Sequence, residues 1–71
     1  MKKIRSNDSM YEIRAARIGE EIACAVFRDD EYLDALSMLT TSSGMPGSLQ
    51  ETLAIADLTS QMTRLLTGLT D

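Results

Sequence analysis

Apolar residues recur along residues 9–28 at Tyr11, Ala15, Ile18, Ile22 and Ala25, alternating four and three apart. That spacing draws one stripe down a helix. Ser9-Met10-Tyr11-Glu12 has the form of a capping box, in which the serine hydroxyl accepts from the amide three residues on. The pattern predicts a helix over 9–28. Arg17 and Glu21, four apart, would then meet on its exposed side.

Asp29, Asp30, Glu31 and Asp34 follow close together. Either Asp29 or Asp30 caps a second helix over 30–41, or the first helix runs on through them. The stripe continues as Tyr32, Leu36 and Leu39, which favours continuation. An aspartate on a buried stripe is costly unless it caps something, which favours a bend. The run 42–48, with Gly44, Pro46 and Gly47, reads as a loop. Ser48-Leu49-Gln50-Glu51 is a second capping box and opens a helix over 49–68. Its stripe is Ile55, Leu58, Met62, Leu65 and Leu69, widened by Leu66. No strand pattern stands out. The expected fold is all-α, a small helical hairpin or a three-helix arrangement. Residues 1–8 are expected to form a flexible basic tail and 9–71 a single helical domain.

Composition narrows the function. The chain has 71 residues, 44% of them hydrophobic and 25% charged, which suits a folded domain better than a disordered one. At this size the core is marginal, and self-association is a common remedy. Histidine is absent and Cys24 is the one cysteine. An internal disulfide and the usual Cys/His zinc sites are thereby excluded. Without histidine the usual acid–base catalyst is missing too, and Cys24 sits between Ala23 and Ala25 like a buried, inert thiol. Asp29–Asp34 lacks the ligand spacing and turn glycine of a calcium loop, and the four glycines form no phosphate loop. No enzyme, cofactor or metal is expected. No stretch is apolar for long enough to span a membrane. The basic start of the chain runs into Asp8 and Glu12 without an apolar region, so no secretory signal is expected and the cytoplasm is the default.

The net charge of −4 disfavours nucleic acid. Lys2, Lys3 and Arg5 nevertheless keep open a dimeric DNA-binding regulator that uses a basic N-terminal arm. Two features point instead to protein contacts. Between Leu49 and Leu69 the only charged residues are Glu51, Asp57 and Arg64, while Thr52, Thr59 and Thr63 fill polar positions. Such charge depletion marks interface cores. On the expected first helix, Ala15, Gly19 and Ala23 lie four apart and would form a flat strip for close backbone approach. Met62 adds a flexible side chain that can adapt to a partner. The interface candidates are therefore Ala15, Gly19, Ala23, Thr52, Thr59, Met62 and Thr63. The expected function is that of a small acidic adaptor, inhibitor or regulator that works by protein–protein binding as a homodimer, with an unidentified protein as its partner. A structural subunit of a larger assembly is a further alternative. No diagnostic motif of a known family is present.

Overall fold

The computed structural model describes residues 2–6 and 8–70. The elements are β1 (Lys2–Ser6), β2 (Ser9–Ile18), β3 (Glu21–Arg28), β4 (Glu31–Tyr32), β5 (Leu39–Ser42) and α1 (Leu49–Thr70). This is an antiparallel sheet with one C-terminal helix, and it overturns the all-α expectation. The expected helix 9–28 is the β2–β3 hairpin. The expected helix 30–41 is β4, an irregular stretch and the start of β5. Only the last expected helix is helical. Residues 9–71 are accordingly not a helical domain, and the segment expected as a tail contributes an edge strand.

Two-residue turns explain the first half. Ile18 pairs with Glu21, leaving Gly19 and Glu20 as the whole connection. Gly19 takes φ +62°, and Glu20 is not among the residues at positive φ. Positive φ at the first position alone is the backbone of a type II′ hairpin, which matches the twist of its strands. At the next corner Arg28 pairs with Glu31, and both intervening residues are left-handed, Asp29 at φ +51° and Asp30 at φ +70°. That is the type I′ pattern, and aspartate tolerates it better than most residues. Asp29 and Asp30 neither cap a helix nor sit within one; they turn a strand. The β1–β2 corner, closed by the pairing of Ser6 with Ser9, also holds a left-handed aspartate, Asp8 at φ +64°.

Strand geometry sorts the side chains by alternation. One face of the sheet carries Tyr11 and Ile13 from β2 and Ile22, Cys24 and Val26 from β3. These are buried against Leu58, Met62 and Leu66 of α1 and against Leu36, with Ile4, Leu33, Leu39 and Ile55 packed around them. The supposed helical stripe is split by the pleat. Tyr11, Ala15 and Ile22 share the helix side, whereas Ile18 and Ala25 project from the other. Strand β3 is central. It pairs with β2 along one edge, and with β4 and β5 at opposite ends of the other. Its unbroken apolar run, Ile22 to Phe27, suits a strand with neighbours on both edges and apolar groups on both faces.

The start of α1 follows its capping box. The Glu51 amide donates to Ser48 Oγ at 3.1 Å. The Glu51 carboxylate, in turn, accepts from the Gly47 amide at 3.1 Å. Leu58, Met62 and Leu66, four apart, enter the core, while Leu65 and Leu69, assigned to the same stripe, are exposed. A polar clasp then locks the helix start to the hairpin. Arg17 Nε donates to Glu51 Oε2 at 2.8 Å, and Arg17 Nη2 donates to the buried Ser43 Oγ at 2.8 Å and to the Gly44 carbonyl at 3.1 Å. Arg17 thus meets the helix start through Glu51, instead of pairing with Glu21 along a helix.

Candidate functional site

The sheet has two broad faces and α1 covers one of them. The other face is the candidate site. Cross-strand register sets its composition. Arg14 lies opposite Ala25, Ala16 opposite Ala23, Glu12 opposite Phe27, and Lys3 opposite Glu12. These residues therefore project on the same side. At the Gly19 end, alanines 16, 23 and 25 form the floor of a groove of about 230 Å³, walled by Ile18, Phe27, Met38 and Arg14. Ala23 and Ala25 are only 6% and 7% exposed because the larger neighbours stand above them, whereas Ile18 is 62% and Met38 49% exposed. A solvated face of an antiparallel sheet alternates to polar residues; here the floor between β2 and β3 is apolar, with the polar groups Glu21, Thr40 and Ser42 on the same face at its margin.

The other end is charged. Lys3, Met10, Glu12, Asp29 and Asp30 line a second depression of about 360 Å³. Arg14 joins the two ends. Its guanidinium carbon lies 4.1 Å from the centre of the Phe27 ring, and the group pairs with Glu12 and, at 2.9 Å, with Asp30. A guanidinium over an aromatic face is favourable, and its N–H groups can still bond carboxylates. Tyr32 meets Phe27 edge-on with ring centres 6.0 Å apart. Phe27 is thus held between an arginine and a tyrosine on the rim of the groove.

The interface candidates from sequence do not assemble into one surface. Ala15 and Ala23 lie opposite Cys24 and Ala16 respectively, so their side chains leave opposite faces of the sheet. Gly19 is in the hairpin turn, where its positive φ rather than close packing accounts for it. The Ala15/Gly19/Ala23 strip therefore does not exist, because the segment that carries it is not a helix. Ala23 alone of the three falls on the open face. Met62 is fully buried in the core. Thr59 and Thr63 are half-buried, and the Thr63 hydroxyl donates to the Thr59 carbonyl at 2.7 Å. Thr52 is exposed and its hydroxyl bonds back to the Ser48 carbonyl at 3.4 Å. Part of the low-charge character of α1 is thus met by hydroxyls bonding their own helix. What spacing missed is the even-numbered row Glu12, Arg14, Ala16, Ile18 of β2. Alternation of Tyr11 and Ile13 with Glu12 and Arg14 was the available signal.

Little reactive chemistry faces solvent. Cys24 is buried on the helix side, and burial raises its thiol above the ordinary value, with the Thr59 side chain pulling the other way. A raised thiol is a poor nucleophile. Glu51 titrates below the ordinary carboxylate value because the Arg17 guanidinium and the Gly47 amide both bond its charged form. Among the described residues no group of three or more acidic or cysteine side chains is placed to hold a metal ion. Nor, among them, is any helix long and apolar enough to cross a membrane. Lys2, Lys3 and Arg5 belong to the paired strand β1 and do not form a free arm. Compared with protein-family models, curated proteins and solved structures, the chain matches none.

Proposed function

We propose that this chain is a small, acidic, non-enzymatic binding protein that acts through protein–protein contact, as an adaptor, inhibitor or regulator, and that it self-associates as a homodimer. The observation that carries the reading is the open face of the sheet. Its floor is Ala16, Ala23 and Ala25, and Ile18, Phe27 and Met38 stand around it. An apolar surface of this kind on a small soluble domain marks an interaction site. The flat floor suits another protein surface, since alanines allow a second layer to approach closely. A marginal core gains from such a contact, because burying apolar area contributes about 25 cal/mol per Å². The lack of histidine and the burial of Cys24 support a non-enzymatic role. A lone reduced cysteine in a chain this short also fits a reducing compartment, and we place the protein in the cytoplasm.

Sedimentation velocity across 1–100 µM tests the reading. The wild-type chain is expected to sediment as a dimer at the upper concentrations. Ile18→Asp, at an exposed position on the wall of the groove, is expected to give a folded monomer. A wild-type chain that stays monomeric at 100 µM, or a dimer that survives Ile18→Asp, would refute the proposal.

A further inference from the structure

Independently of the homodimer reading, we propose that the outer edge of β1 is a docking edge for an extended, acidic segment of another protein, which joins the sheet as a further strand. β1 ends the strand order, and among the described residues no strand other than β2 pairs with it. Its outward backbone groups follow from the register. The Met10 carbonyl accepts from the Asp29 amide at 3.1 Å, and the Met10 amide donates to Asp29 Oδ1 at 3.4 Å, so both Met10 groups point toward the β3 side. Arg5, the residue opposite Met10, is therefore in a non-hydrogen-bonded pair, and its own N–H and C=O point outward. The register runs unbroken to Lys2, so alternation gives Lys3 the same outward groups. Two donors and two acceptors thus line an open edge, the template on which an extended segment adds to a sheet.

Charge selects the occupant. Five of the seven basic residues, Lys2, Lys3, Arg5, Arg14 and Arg17, lie on β1 and β2, where Glu12 is the single acid, although the chain as a whole carries −4. Arg14 and Arg17 are engaged by Glu12, Asp30 and Glu51, whereas the ion pairs among the described residues leave out all three cations of β1. Lys3 also lines the depression that holds Glu12, Asp29 and Asp30, so Lys2 and Arg5 are the cations most open to a partner. At the far edge of the sheet, β4 and β5 carry Glu31 as their only charged residue. A second copy does not suit the β1 edge. Two β1 strands paired antiparallel through their outward groups set Lys3 or Arg5 opposite Lys3 or Arg5, and like charges directly opposed are destabilising. Edge cations keep a sheet from pairing with its own kind in this way. An acidic strand turns the same charges into attraction. The pleat orders its side chains, with acids opposite Lys3 and Arg5 on the open side and, between them, an apolar residue opposite half-buried Ile4 on the helix side.

The probe is a short capped peptide of alternating glutamate and valine, with the alternating lysine–valine peptide as its counterpart, each titrated into the full chain in low salt. The bound glutamate peptide is expected to slow hydrogen exchange at the Lys3 and Arg5 amides at least about tenfold, while the Ile4 amide, already in the ladder with Tyr11, changes little. The glutamate peptide is expected to bind at least about tenfold more tightly than the lysine peptide, and Lys2→Glu/Arg5→Glu is expected to abolish that preference. If this variant does not fold, the exchange map of the wild-type chain decides alone. A peptide of the same composition with its glutamates and valines in two separate blocks distinguishes strand addition from charge attraction. Block and alternating peptides that bind equally, without protection of the two amides, overturn the proposal. So do absence of binding at millimolar peptide, equal affinity for the glutamate and lysine peptides, or changes confined to the groove around Ala16, Ala23 and Ala25. Sedimentation of the wild-type chain without peptide bears on the homodimer alone, so either reading can fail while the other stands.

Discussion

The β2–β3 hairpin and helix α1 carry the same local signals and fold in opposite ways. Both are about twenty residues long. Both open on S-x-x-E, as Ser9–Glu12 and Ser48–Glu51, and both show apolar residues three and four apart. At Ser48 the capping hydrogen bond forms. At Ser9 the serine pairs with Ser6 in a ladder, and Glu12 accepts from Arg14 Nε, two residues along the same strand. The larger difference lies in which apolar residues are used. The hairpin draws on Tyr11, Ile13, Ile18, Ile22, Val26 and Phe27. The helix draws mostly on leucine and methionine, at Leu49, Leu53, Leu58, Met62, Leu65, Leu66 and Leu69, with Ile55 its one β-branched aliphatic residue. β-Branched and aromatic side chains lose rotamer freedom against a helical turn and pack well on a pleated surface, whereas leucine and methionine lose little in a helix. Residue type within the stripe separated two segments that spacing did not.

Substitutions can break each half of that contrast. The largest effect is expected at Met62, where the helix meets the sheet. Met62→Ala leaves a cavity in a fully buried site, and a loss of about 2–5 kcal/mol is expected in urea unfolding. Next is the hairpin turn. Gly19→Val places a β-branched residue at φ +62°, and a loss of at least about 1–2 kcal/mol is expected, although a side chain there would meet no neighbour within 4 Å. Were residues 9–28 helical, the same change would be mild or stabilising, so its sign discriminates between the two folds.

The two serines give a finer comparison. Ser48→Ala removes a helix cap, and a loss of about 1 kcal/mol is expected. A weaker, pH-dependent effect is expected next to it. The folded-state pKa of Glu51 is depressed, so its stabilising contribution is present above the unfolded value of ~4.3 and is lost as pH falls through the folded value. Glu51→Gln should therefore lower the melting temperature more at pH 7 than at pH 3. Equal effects at both pH values would show that the Arg17 clasp does not depend on charge. Ser9→Ala should change stability by less than about 0.5 kcal/mol, because Ser9 caps nothing.

Sequence alone located the last helix, its serine cap and its core side chains Leu58, Met62 and Leu66, because those depend on interactions within a few residues. It also raised a bend at Asp29-Asp30, a corner where the chain does reverse, but it placed Gly19, the other such corner, inside a helix. Pairing decided the rest. A helix satisfies its backbone locally, but a strand needs hydrogen bonds from residues distant in sequence, and β3 obtains them from β2, β4 and β5. Once those ladders form, the side-chain period changes from 3.6 to 2 and the faces are sorted anew. Ala15 and Ala23, neighbours on an imagined helix, part to opposite sides, and Ala16, Ala23 and Ala25 come together as a floor. The candidate site was therefore invisible to helical spacing, since it is made by register between strands and by the single helix covering one face and leaving the other open.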